Sequence, residues 1–119
     1  MDMNMYFTRS LQDIEKKIKY QFKCKSFLIQ AFTHKSYNEL YLGTSKTMIE
    51  DYERLEFLGD SILNYLVSQY FYTNTQNDEK RKMPKELHKM KASVINNALL
   101  SLIIIENQLH EYVIYNEKA

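Results

Sequence analysis

The chain has 119 residues with 45 % hydrophobic and 26 % charged side chains, an ordinary globular composition of a size for one domain. Its formal net charge of +1 excludes global polycationic attraction, so any nucleic-acid binding must rest on local basic patches. A single cysteine, Cys24, excludes an intrachain disulfide, and the longest apolar run, residues 99–105, is interrupted by Ser101 and too short to cross a bilayer. The first residues lack the layout of a signal peptide, so an intracellular protein, cytoplasmic or nuclear and with no membrane partner, is expected.

Residues 1–7 read as a tail, with residues 1–9 flexible. Ser10 is a residue type that caps helices, and Leu11, Ile14, Ile18 and Phe22 then recur on one helical face. Lys16, Lys17 and Lys19 fall elsewhere on that helix and read as a solvated basic face. A short second helix is predicted after Ser26, through Leu28, Ile29 and Phe32 to about His34. Periodicity fails over residues 35–46, where Gly43 marks a loop. Thr47 and Glu50 have capping-box spacing and would open a long third helix over residues 48–72. Gly59 at its midpoint lowers helix propensity, which makes sense if another group approaches closely. Residues 74–83 form a polar loop ending at Pro84, a residue suited to the first turn of a fourth helix. Leu87, Met90, Val94, Ala98 and Leu102 give that helix a buried stripe, and Leu109 with Val113 predicts a last short turn. With only two glycines and one proline, these long periods point to an all-α fold in a single domain, 1–119.

The third predicted helix carries the most chemistry. Residues 52–63 read Y-E-R-L-E-F-L-G-D-S-I-L, and steps of three and four place Glu53, Glu56 and Asp60 on one helical stripe. Leu55, Leu58, Ile62 and Leu66 form a second stripe that a globular helix would bury. No Lys or Arg stands three or four residues from Glu56 or Asp60, so a local ion pair within the helix is ruled out. Two readings of the acids stay open at this point: a divalent-cation site, or pairing with lysines such as Lys89 or Lys91 from the fourth helix.

The same stretch, E-R-L-E-F-L-G-D followed by S-I-L, resembles the signature of the ribonuclease III endonuclease domain. Residues 30–37, Q-A-F-T-H-K-S-Y, are similar to a second landmark of that family, and residues 87–97, L-H-K-M-K-A-S-V-I-N-N, to a third. The wording of the last two is nearest to Dicer-type domains. The resemblance implies a helical bundle that cuts double-stranded RNA with Mg²⁺, or Mn²⁺ in its place. Carried over residue by residue, it makes Glu56 a catalytic metal ligand and Asp60 an acid beside it. Glu53 and Phe57 would lie at a dimer interface, either in a homodimer or against another such domain, with Phe57 as an aromatic plug. Lys82, Lys85 and Lys91, within the dense basic stretch of residues 80–91, would contact the RNA duplex.

Other residues read more plainly. His34 is expected to bond or cap structurally, His88 and His110 to lie at the surface, and Cys24 to be a small semi-buried residue. The tyrosines around residues 65–72 read as packing groups. The family's second acidic pair, an Asp with a Glu three residues on, has no counterpart after Asn97. The bundle is thus expected to be incomplete at its C-terminus, a fragment or truncated form with reduced or no activity alone. The alternative is a noncatalytic dimerisation or scaffold module of an RNA-processing or ribosomal assembly.

Overall fold

In a computed structural model the protein is described over residues 3–39, 50–75 and 83–116. Six α-helices are present among these residues: α1 (Met3–Ile18), α2 (Lys25–Ala31), α3 (Lys35–Glu39), α4 (Glu53–Asn74), α5 (Pro84–Val94) and α6 (Asn97–Glu106). A 3-10 turn, Leu109–Tyr112, follows α6. The all-α expectation holds, and the extended pairing among the described residues is one parallel bridge, Thr33 to Ile114.

Several helix boundaries differ from the expected ones for local reasons. No glycine or proline interrupts residues 3–10, so α1 runs back to Met3 and Ser10 lies inside it rather than capping it. Ile18 is the last residue of α1; Phe22 lies beyond the helix yet still packs on the core. The expected loop over residues 35–46 instead begins as α3, whose start is capped by His34: its Nδ1 accepts the Ser36 N–H at 3.1 Å. The remainder of that loop and Thr47 lie outside the described residues. Helix α4 opens at Glu53, later than the capping box required, because Asp51 Oδ1 accepts the Glu53 N–H at 2.9 Å. Just before it, the Tyr52 N–H donates to the Thr33 carbonyl at 3.0 Å, which ties the start of α4 to the segment after α2.

Pro84 does stand in the first turn of α5. The fourth helix, however, is two helices. Asn96 is extended, and its Oδ1 accepts the Leu99 N–H at 2.8 Å, so the side chain starts α6 and splits the expected stripe. Leu87 and Met90 are half-buried on α5, whereas Leu102 on α6 is exposed.

The buried core is small. Ile14, Leu28 and Leu109 meet at its centre, with Leu11, Phe22, Phe32 and Tyr112 packed around them. Thus α1, α2 and the 3-10 turn form one packed end, and α2 carries it onto α4. Helix α4, about 33 Å long at 1.5 Å per residue, packs against the shorter α5, whose Leu87 and Lys91 meet Phe71 and Tyr72 in its C-terminal part. The molecule measures 61 × 30 × 24 Å with a radius of gyration of 18.4 Å, against about 14 Å for a compact chain of this length.

Of the expected inward stripe of α4 only Leu55 is half-buried, and the stripe continues from it through Gly59, Leu63, Val67 and Phe71, each four residues on. Leu58, Ile62 and Leu66 are instead 56 %, 51 % and 53 % exposed. Gly59 is not there for close approach of another described residue either, since among these a Cβ at that position would meet nothing within 4 Å.

Candidate functional site

The first two turns of α4 carry the acids. Glu53 and Glu56 occupy the helix N-terminus, where the unpaired N–H groups favour negative charge. The Glu56 N–H donates to the Tyr52 carbonyl at 2.8 Å, and Asp60 follows one turn later, its carbonyl accepting from Asn64 Nδ2 at 2.8 Å. All three acidic residues are exposed.

Their partners separate them. Glu53 Oε1 lies 3.8 Å from Lys35 Nζ, a solvent-exposed pair that contributes little. Glu56 and Asp60 have no ion pair among the described residues, so the alternative of neutralisation by Lys89 or Lys91 does not apply. Among the described residues no group of three or more His, Cys, Asp or Glu side chains comes together in a way that could hold a metal.

Glu56 stands at the edge of a groove of about 760 Å³ between α2, α4, α6 and the 3-10 turn. Asn97, Ser101 and His110 line it with the apolar Leu55 and Ile104. These three polar neighbours of Glu56 were not singled out for function from sequence, although Asn97 closes the third landmark and was a usable signal. Glu53 and Phe57 line a different groove, of about 600 Å³, together with Phe27, Gln30 and Arg54. Phe57 is 80 % exposed, the largest value among the exposed large hydrophobic residues.

The basic residues are distributed along α5. Lys82 lies outside the described residues. Lys85 is exposed in the first turn. Lys91 is half-buried and lines a small groove against α4 with Phe71, Tyr72 and His88. Six residues of helix separate the directions of Lys85 and Lys91 by about 120°.

His34 holds the structural position expected of it: besides accepting the Ser36 N–H, its Nδ1 lies 2.7 Å from Ser36 Oγ, and its ring leans against Tyr52. His88 and His110 are exposed. Cys24 is exposed too, not semi-buried as expected, because it precedes the first turn of α2. Its Sγ lies 2.9 Å from Ser26 Oγ, and bonds to Ser26 hold the thiol below its ordinary range.

Residues 25–119 match the family model described as Ribonuclease-III-like. The chain belongs to this family. Among its relatives, endoribonuclease Dicer-S of Xenopus laevis is 38 % identical over 101 residues, which are 85 % of this chain and 5 % of that protein. Ribonuclease 3 of Aliarcobacter butzleri is 38 % identical over 104 residues, covering 84 % of this chain and 39 % of that one. The nuclease domain of ribonuclease III from Campylobacter jejuni superposes with a TM-score of 0.74 at 28 % identity. That alignment takes in 91 % of this chain and 66 % of the bacterial one, whose structure was described for flexibility in a region involved in dimer formation. The ribonuclease-III-like chain thus spans only part of each relative, a twentieth of the Dicer and two fifths of the bacterial enzyme. An all-α ribonuclease-III-like fold is established, with nucleases among its relatives. No helix among the described residues is long and apolar enough to cross a membrane.

Proposed function

We propose that this ribonuclease-III-like chain is a divalent-cation-dependent endoribonuclease domain that cleaves double-stranded RNA, with Glu56 and Asp60 holding the cation. The observation that carries this reading is a pair of exposed carboxylates, one helical turn apart and without a counter-charge among the described residues, of which Glu56 lines a groove. Hard oxygen donors of this kind fit Mg²⁺ or Mn²⁺, which retain several waters and need few carboxylates. When bound, such an ion activates water and stabilises charge at a phosphodiester. Within the chain, α4 fixes the spacing of the two acids and the groove beside Glu56 offers Asn97 and Ser101 as polar positioning groups. Glu53 and Phe57 form the dimer surface, toward a second copy or another ribonuclease-III-like domain. Lys82, Lys85 and Lys91 contact duplex phosphates.

Two carboxylates fill only part of an octahedral shell, and the described residues bring no third acid to them. Within this reading the chain alone is a weak nuclease, and a partner domain raises its activity. That same observation favours the second reading, a noncatalytic module that pairs with another domain of its family. Titration with Mn²⁺ followed by calorimetry decides between them. Binding by the wild type, lost in Glu56→Gln and in Asp60→Asn, supports the nuclease; no binding by the wild type supports the scaffold. Cleavage of a duplex RNA that disappears in Asp60→Asn is the second readout.

A further inference from the structure

Residues 9–25 carry six basic side chains against two acidic ones, a net +4 in a chain of net +1, so the other residues sum to −3. The charge asymmetry is concentrated at the end of α1 and in the turn that follows it. Two of the six are engaged: Lys25 Nζ lies 2.6 Å from Glu15 Oε2, and Lys17 Nζ donates to Gln108 Oε1 at 3.3 Å. Lys16, Lys19 and Lys23 are exposed and have no ion pair among the described residues.

Backbone geometry singles out Lys19. It takes a left-handed φ of 57° just past the end of α1, and the Tyr20 N–H donates back to the Glu15 carbonyl at 3.2 Å. This is the helix-ending motif in which glycine is the favoured residue, because a Cβ is strained there. A lysine at that position sacrifices stability and places a cation beside Lys16. Between them runs a groove of about 430 Å³ lined by Gln12, Lys16, Lys19, Tyr20 and Gln21. Glu15 also borders it, but its carboxylate is taken by Lys25 and the Phe22 N–H. Ammonium groups flanked by two amides and a phenol suit a ligand that offers both phosphates and hydroxyls. A-form RNA is recognised through those groups, phosphate oxygens and ribose 2′-hydroxyls.

We propose that Lys16, Lys19 and Lys23 form a second contact surface for the backbone of duplex RNA, separate from the acidic site on α4. The inference rests on the reading of the chain as a duplex-RNA nuclease, and it names a surface that binds without taking part in bond cleavage. Each lysine neutralises a phosphate and releases a counterion, so its signature is salt dependence and not sequence preference.

The test measures binding of the full chain to a labelled duplex RNA by fluorescence anisotropy, with EDTA present and salt varied. Replacing Lys16, Lys19 and Lys23 together by Ala is expected to flatten the plot of log affinity against log salt by about three, roughly one per lysine. Replacement of all three by Arg is expected to keep the wild-type slope. Lys19→Gly gives a control with opposite signs: the melting temperature should rise as the φ strain is relieved, while RNA affinity falls. An unchanged slope in the triple Ala variant overturns the proposal, as does loss of binding to an acidic peptide but not to RNA. If the wild type binds no duplex RNA, both this surface and the nuclease reading fall. If Mn²⁺ binding at Glu56 fails but the lysine variants still change the salt slope, the nuclease reading alone falls.

Discussion

The backbone N–H of Asn116 donates to Ser36 Oγ at 3.0 Å, joining residues 80 positions apart. The same hydroxyl lies 2.7 Å from His34 Nδ1, and Ser36 is 4 % exposed, so the hydroxyl is withdrawn from water. The arrangement sits beside the Thr33–Ile114 bridge and ties the end of the described chain to the start of α3. Ser36→Ala removes the shared hydroxyl and is expected to cost about 1–3 kcal/mol. The measurement is urea unfolding, with a lower midpoint at unchanged m-value. An unaltered midpoint would mean that the His34 N–H to Ile114 carbonyl bond and the Ile114 N–H to Phe32 carbonyl bond hold the segment without it.

Glu15 should make stability depend on pH. Its carboxylate lies 2.6 Å from Lys25 Nζ and accepts the Phe22 N–H, also at 2.6 Å. Lys25 first, then the Phe22 N–H, hold the carboxyl below its ordinary range. A carboxyl depressed in the folded state adds stability above its unfolded pKa, and this is lost as pH falls toward the folded value. Glu15→Gln is therefore expected to lower the melting temperature at neutral pH. The gap from wild type should narrow progressively below about pH 4. Melting curves that stay equally separated at every pH would refute the linkage.

What could be read from the residues depended on how local the cause was. Pro84 at the start of α5 and the capping by His34 involve neighbours in sequence, and both were legible. Of the inward stripe of α4, only Leu55 was. Leu55–Leu63–Val67–Phe71 and Leu58–Ile62–Leu66 are both apolar and only about 100° apart, so periodicity cannot rank them. Contact with α5 and α2 decides, and those are tertiary facts. Asn96 shows the same limit at smaller scale: its helix propensity is not prohibitive, and its side-chain bonds, from Nδ2 to the Ala92 and Ser93 carbonyls and from the Leu99 N–H to Oδ1, turn one helix into two. At the candidate site, helical spacing brought Glu53, Glu56 and Asp60 to one stripe. It did not reveal that Glu53 and Glu56 open onto different grooves, because those walls come from α2, α6 and the 3-10 turn.

Cys24 tests the turn into α2. Hydrogen bonds from the Ser26 hydroxyl and backbone lower its thiol pKa, and the side chain is exposed. Thiolate is the reactive form, so alkylation by iodoacetamide near neutral pH should outpace that of a free cysteine. Ser26→Ala is expected to slow the reaction several-fold and move its pH–rate midpoint upward. An identical midpoint in the variant would assign the reactivity to the flanking Lys23 and Lys25 instead.

Phe57 separates folding from association. At 80 % exposure it has little to lose within the chain, so Phe57→Ala should change unfolding free energy by no more than about 0.5 kcal/mol. An exposed aromatic that anchors an interface is a different matter, since such residues carry about 2 kcal/mol or more of binding. Self-association, or pairing with another ribonuclease-III-like domain, should then weaken roughly 30-fold, as read by sedimentation equilibrium. The two readouts answer separately. A large loss of stability in dilute monomer would place Phe57 in the chain's own packing. Unchanged association would move the interface away from the groove that Phe57 shares with Glu53, and leave the exposed Ile62 and Leu66 as its next anchors.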